Sequence, residues 1–307
     1  MREPMKLLVF HNPNAGYDEV PKDLLLTELQ RAGHEVVWIQ KGGPRKLSDV
    51  LTQPFEAVVV VGGDGSVATV GRKLARRGIP IAVLPAGTAN NIASLLGATR
   101  ENLLRLLAGS QTVPFDVGLV DGIGPTRRFL EGVGIGAFAE TVAILSAREA
   151  DAPQLVEDRE EELDRDLHVL AELVRRIDPC PCQLEFDGDE VSGEFLMIEV
   201  TNAGMIGPNL RLSAGAVPCD GLLDVTLVDV AEREELLTFL GARRQHIERA
   251  PPFTIRLARR VRLRLPSGRS LHIDGEAIEC NEAVDLRIGI EPAALRFFAE
   301  AGAAHRS

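Results

Sequence analysis

Residues Val58–Gly65 read Val-Val-Val-Val-Gly-Gly-Asp-Gly, four β-branched residues followed without a break by three glycines around one carboxylate. A run with no polar position fits a strand covered on both faces, as in the middle of a parallel sheet. The chain then turns where glycine lets backbone N–H groups approach an anion that any Cβ would hold away. Ser66–Arg77 follows with apolar residues at helical spacing, so the loop ends at a helix N-terminus, whose partial positive charge favours phosphate. Strand, glycine loop and helix in that order indicate a nucleotide site; a tight strand-to-helix turn in an ordinary α/β protein is the competing reading.

The flanking sequence repeats the alternation of short apolar runs and helical patterns that marks βαβ units. Strands are predicted at Lys6–Phe10, Glu35–Gln40, Ala57–Val61 and Ile79–Leu84, with helices at Pro21–Ala32, Pro44–Thr52, Ala89–Leu96 and Glu101–Leu107. From about Thr112 the runs are joined mostly by Gly, Asp or Pro turns, which predicts a largely antiparallel, β-sandwich-like second domain. Its strands are expected at 115–120, 128–133, 183–186, 193–200, 222–228, 254–265, 270–273 and 284–290, with helices near 155–177 and 231–247. Ala293–Ala299 reads as a terminal helix. The expected domains are therefore an α/β nucleotide-binding domain over 1–120, a β-rich domain over 121–290, and a helix within 291–307.

Composition narrows the function. No apolar run reaches the roughly 18 residues needed to cross a bilayer, and the N-terminal segment, with Pro4, is too short for a secretory signal, so a cytoplasmic protein is expected. A net charge of −11 argues against nucleic acid as a partner. Charge is nevertheless uneven: residues 149–166 hold nine acids against Arg159 and Arg165, and residues 241–270 hold nine arginines against Glu248 alone. The acidic run reads as a solvated helix face, and the basic one as a second such face or as a patch for anionic lipid headgroups at the inner membrane face. Cys180, Cys182, Cys219 and Cys280 lack paired metal-ligand spacing and read as free thiols.

In an α/β sheet ligands collect at the carboxyl ends of the strands. Three polar loops arrive there: His11-Asn12-Pro13-Asn14-Ala15-Gly16, Gly62-Gly63-Asp64-Gly65-Ser66, and Leu84-Pro85-Ala86-Gly87-Thr88-Ala89-Asn90-Asn91. Amides and hydroxyls beside exposed backbone N–H groups suit a phosphate chain and a ribose. Two acidic turns lie in the second domain, Asp220-Gly221-Leu222-Leu223-Asp224 and Asp274-Gly275-Glu276. Asp-Gly is a hairpin pair, yet a phosphotransferase also needs one carboxylate to take a proton and others to hold Mg²⁺. Gly132-Val133-Gly134-Ile135-Gly136-Ala137 approximates a dinucleotide fingerprint, but no second parallel strand ending in an acid follows at the required distance. Walker A, GxSxG and HExxH motifs are absent.

The three loops, Asn202-Ala203-Gly204 and the two acidic turns, in this order, resemble the soluble diacylglycerol kinase catalytic-domain family, which includes sphingosine kinases and bacterial relatives. The resemblance implies an ATP-dependent lipid kinase that phosphorylates a diacylglycerol-like or other long-chain lipid at the membrane surface, and a homodimer. It implies ATP contacts at Asn12, Pro13, Asn14, Gly16, Gly62, Gly63, Asp64, Gly65, Ser66, Gly87, Thr88 and Asn90. By the same resemblance Glu276 is the base, with Asp274 beside it and Asp64 reaching the phosphates through Mg²⁺, while Asp220 holds a structural Mg²⁺ with main-chain oxygens of Val217 and Leu222. The terminal helix is expected to pack back on the first domain.

The chain departs from the family pattern at Ser66, Ala68, Thr69, Asn91 and Tyr17, where Thr, Asn, Glu, Asp and a basic residue are usual. These departures keep two alternatives open, a catalytically silent nucleotide or lipid sensor and a kinase of a soluble metabolite such as NAD, whose kinases also carry a Gly-Gly-Asp-Gly loop.

Overall fold

The computed structural model describes residues 4–16, 20–109, 111–151 and 158–303. Tyr17 and part of the acidic run, with the predicted start of its helix, lie outside the described residues. The chain forms two compact units, one reaching Asp116 and resuming at Pro292, the other spanning Val117–Glu291.

In the first unit β1 (Lys6–His11), α1 (Lys22–Arg31), β2 (Glu35–Gln40), α2 (Leu47–Val50), β3 (Ala57–Gly62), α3 (Asp64–Leu74), β4 (Ile81–Pro85), α4 (Asn91–Leu95) and α5 (Leu103–Gly109) alternate along the chain. The strands pair in parallel in the order β2-β1-β3-β4. The valine run is the centre of this sheet, and Ala57 through Val61 are fully buried. Each buried valine contributes about 1.5–3 kcal/mol, which is why the strand tolerates no polar position.

β5 (Thr112–Asp121) leads into the second unit, which contains β6 (Arg127–Phe129), β7 (Gly132–Gly136), α6 (Ala137–Asp151), α7 (Arg159–Arg176), β8 (Cys180–Phe186), β9 (Asp189–Thr201), β10 (Met205–Ile206), β11 (Leu210–Arg211), β12 (Leu223–Asp229), α8 (Arg233–Arg244), β13 (Thr254–Ala258), β14 (Arg260–Leu265), β15 (Arg269–Ile273) and β16 (Glu276–Cys280). Its pairings are antiparallel. β9 pairs with β8 through its first half and with β7 and β12 through its second. Strand alternation divides the core in two: Ile198, Val200, Val225 and Leu227 face the sandwich interior, while Met197 and Val228 face a layer formed by α6, α7 and α8.

Local expectations change at several places. The stretch 293–299 is not a helix but the end of β17 (Val284–Phe298), whose Phe297 pairs in parallel with Ile81 of β4. Its apolar residues fit a helical face as well as a strand. The strand wins because it satisfies backbone groups of the first unit: Arg76 N–H donates to the Ala294 carbonyl (2.7 Å), and the Ala293 N–H is taken by Asp116 (2.6 Å). The predicted strand 128–133 is two strands, broken at Leu130–Glu131, and 254–265 is also two, broken where the Asp187 carboxylate accepts the Arg259 and Arg260 N–H groups. β16 was not expected. Finally, the Gly132–Gly136 segment is β7, antiparallel to both β9 and β15, and a Cβ at Gly134 would lie 2.1 Å from Glu199. Its glycines admit neighbouring side chains and backbone rather than a dinucleotide.

Candidate active site

The parallel register of β1, β3 and β4 brings His11 beside Val61 and Gly62 beside Pro85, so three loops leave the sheet at one level. They touch. Asn12 donates its N–H to the Val61 carbonyl (2.9 Å) and its side-chain amide to Ser66 Oγ (3.2 Å), while its Oδ1 accepts the Asn14 N–H across Pro13 (3.3 Å). Gly63 and Gly87 are in backbone contact: a Cβ on Gly63 would sit 2.9 Å from the Gly87 Cα, and one on Gly87 2.4 Å from the Gly63 Cα. Gly16, at φ +64°, lies against the Ala86 carbonyl.

Gly65 differs, because a Cβ there would meet nothing within 4 Å. Protein packing therefore leaves its backbone open. It occupies the first turn of α3, an 11-residue helix whose N-cap is Gly63 and carries no capping side chain. This combination of open backbone and positive helix end is suited to an anion such as a phosphate.

The third loop is held by polar side chains. Asn90, left-handed at φ +54° and almost buried, accepts the Gly87 N–H (2.9 Å) and donates to the Gly87 carbonyl (2.6 Å), closing the turn that presents Thr88. Asp64 reaches across from α3 and accepts the N–H groups of Asn91 (3.0 Å) and Ile92 (2.9 Å), capping α4. Its carboxylate is therefore a brace between the second and third loops. At the departing positions, Ala68 is buried and Thr69 returns its hydroxyl to the Gly65 carbonyl (2.8 Å).

In the second unit Asp274 and Gly275 both have positive φ, +48° and +74°, and form the two-residue hairpin between β15 and β16. The Asp274 carboxylate accepts three successive N–H groups, from Leu130 (3.0 Å), Glu131 (2.9 Å) and Gly132 (3.3 Å). This is what breaks the expected strand 128–133. Glu276, the next side chain on the hairpin, is exposed and ion-paired with Arg127 at 2.7 Å.

Beneath the turn lies a pair that sequence reading missed. His272 Nε2 and Glu199 Oε2 are 2.8 Å apart and essentially without solvent exposure, and His272 Nδ1 faces the Gly275 N–H at 3.4 Å. Burial raises the Glu199 carboxyl pKa above the ordinary value, an effect partly opposed by His272. The available signal was the lone acid in the apolar run Phe195–Val200, whose partner stands 73 residues away.

The remaining acidic turn belongs to the same end of the sheet. β15, β7, β9 and β12 are successive neighbours, and Asp274, Gly132, Thr201 and Asp224 mark their ends there. Asp220 Oδ1 accepts the Leu222 N–H (2.9 Å), and the Val217 carbonyl accepts N–H groups from Cys219 and Asp220. Asp224 is buried, accepts the Ser213 hydroxyl (2.6 Å), and has its pKa raised by burial. Among the described residues no three His, Cys, Asp or Glu side chains cluster as a metal site, so a cation here would depend on Asp220 with main-chain oxygens, a donor set suited to a hard ion.

Comparison with known proteins identifies the family. Residues 6–120 match the diacylglycerol kinase catalytic domain, and residues 144–299 the YegS C-terminal NAD kinase beta sandwich-like domain. A Pseudomonas aeruginosa (strain UCBPP-PA14) protein described as "Probable lipid kinase YegS-like" is 30% identical over 314 residues, covering 96% of this chain and 94% of that protein. The diacylglycerol kinase of Bacillus subtilis (strain 168) is 24% identical, covering 87% and 88%. The crystal structure of a diacylglycerol kinase from Bacillus anthracis str. Sterne superposes with a TM-score of 0.72 at 18% identity over 98% of this chain and 99% of that one, which shows a shared fold. With both of its parts and nearly its whole length matched, the chain belongs to the diacylglycerol kinase and YegS-like family of lipid kinases.

Proposed function

We propose that the protein transfers the γ-phosphate of ATP to a hydroxyl of a diacylglycerol-like or other long-chain lipid. The observation that carries this reading is the set of three touching loops around Gly65, whose open backbone and uncapped helix end provide donors for phosphate oxygens. Asn12, Ser66 and Thr88 add side-chain hydrogen-bonding groups around it. Glu276 takes the proton from the attacking hydroxyl, and Arg127 orients its carboxylate. Asp274 positions Glu276 by fixing the hairpin, and Asp64 positions the phosphate loops by capping α4. Asp64 would hold a Mg²⁺ that supplies positive charge against the phosphates, and Asp220 with the Val217 and Leu222 carbonyls would hold a structural Mg²⁺.

The test is incubation with labelled ATP and a panel containing diacylglycerol, monoacylglycerol, sphingosine and NAD. Label is expected in the organic extract, and Glu276→Gln is expected to lower kcat by about 10²–10⁴. A variant as fast as the parent refutes the assignment of the base. Label that stays in the aqueous phase with NAD as acceptor identifies the metabolite-kinase alternative, and calorimetric ATP binding without turnover identifies the sensor.

A further inference from the structure

Among the described residues four large hydrophobic side chains are exposed, and three of them, Ile247, Ile255 and Leu257, fall between positions 247 and 257 at 55%, 36% and 59% exposure. They share a place in the fold. Phe253 packs on Phe239 of α8 with ring centroids 5.5 Å apart, and Ile255 and Leu257 alternate from it along the same side of β13. Ile247 follows the C-terminal end of that helix. Among the described residues β13 pairs only with β12, so it is an edge strand. A soluble protein normally blunts such an apolar edge; an exposed one marks a contact surface.

The charge around the edge identifies the partner. Residues 243–260 carry six arginines against Glu248, in a chain of net charge −11. Arg244 is committed to Asp164 (2.7 Å), Glu160 stands 3.9 Å from His246, Arg249 is 4.0 Å from Glu235 and Arg243 is 3.4 Å from the Asn209 amide oxygen. Arg256 lies on the opposite face of β13 from Leu257, so the edge itself presents apolar groups from one face and a guanidinium from the other. Near the end of α8 is a cavity of about 550 Å³ lined by Phe239 and Ile247 together with Arg211, Arg243, His246, Arg249 and one acid, Glu248. An apolar floor with a cationic rim fits a headgroup phosphate and the start of an acyl chain. A second copy of this edge would bring arginine against arginine.

We propose that the end of α8, the 245–253 connection and β13 form a membrane-docking face, with Ile247, Ile255 and Leu257 entering the apolar boundary of an anionic bilayer and Arg243, Arg249 and Arg256 meeting lipid phosphates. The proposal deepens the lipid-kinase reading and rests on it only for its purpose.

The experiment is co-sedimentation of the full chain, without ATP, with phosphatidylcholine vesicles containing about 30 mol% phosphatidylglycerol, an anionic fraction chosen to attract juxtaposed arginines. The protein is expected to sediment with these vesicles and to be released by added salt. Leu257→Glu and Ile247→Glu are each expected to weaken binding about tenfold, from the loss of one buried aliphatic side chain. Arg256→Gln is expected to weaken it about fivefold. All three sites are exposed, and unchanged thermal unfolding confirms intact variants. Equal binding to pure phosphatidylcholine, undiminished binding by the Leu257 and Ile247 variants, or no sedimentation at all overturns the proposal. So does a dimer that Leu257→Glu dissociates while vesicle binding persists, because the edge then serves a second copy. Because sedimentation requires no turnover, its failure is distinguishable from a failure of the lipid-panel assay.

Discussion

Asp274 is implied by resemblance to be catalytic, whereas its contacts make it a brace, and Asp274→Asn separates the two roles. Asparagine keeps the size of the side chain and accepts the left-handed backbone at φ +48°, so the substitution acts on the carboxylate alone. That carboxylate receives N–H groups from Leu130, Glu131 and Gly132 at 3.0, 2.9 and 3.3 Å. A hydrogen bond to an ionised acceptor contributes about 1.5–3 kcal/mol and a neutral one about 0.5–1.5 kcal/mol. Asparagine retains one acceptor oxygen, and the loss is about 2 kcal/mol; alanine leaves all three donors without this acceptor and costs about 4 kcal/mol. With a urea dependence of about 2 kcal/mol per molar, the midpoints fall by about 1 M and 2 M. Far-UV circular dichroism is the suitable probe, because the only tryptophan, Trp38, lies on β2 in the other unit. An Asp274→Asn protein that unfolds at the parental midpoint yet has lost phosphotransfer would refute the brace and place the carboxylate in the chemistry.

Gly63→Ala is expected to destabilise the first unit by about 1–3 kcal/mol, since its Cβ would press on the Gly87 backbone, whereas Gly65→Ala should unfold with the parent and weaken ATP binding in calorimetry. Because burial raises the Glu199 pKa, the folded state holds that proton more tightly than the unfolded chain; the stability this contributes is complete below the ordinary value of 4.5 and is lost as pH rises through the folded-state value. The parent's melting temperature is therefore expected to decline on going from acid to neutral pH and Glu199→Gln to remove that decline; parallel profiles would contradict the assignment. The Asp164 carboxyl is held below its usual range by Arg244, with the opposite sign: its contribution is present above the unfolded value and lost as pH falls through the folded one. Both partners are substantially exposed, so Arg244→Gln should cost at most about 1 kcal/mol in urea unfolding at neutral pH.

Much of this protein is local physics and was legible before folding. The valines of β3 can be satisfied only between two covering layers, and the glycines that follow let Gly63 lie against the Gly87 backbone and leave Gly65 open. Asp274-Gly275 specifies its own hairpin, since both residues tolerate positive φ. Tertiary structure decided matters in which one segment's backbone depends on another's. Residues 293–299 carry a pattern compatible with helix or strand, and the hydrogen-bonding groups of Ile81, Arg76 and Asp116 select the strand. The roles of the carboxylates were likewise hidden. Asp64 caps a helix 27 residues away, Asp274 binds amides more than 140 residues away, and Glu199 meets His272 only because β7, β9 and β15 lie side by side. A residue's type states which hydrogen bonds it can make; only the folded chain determines which donors are left for it to satisfy.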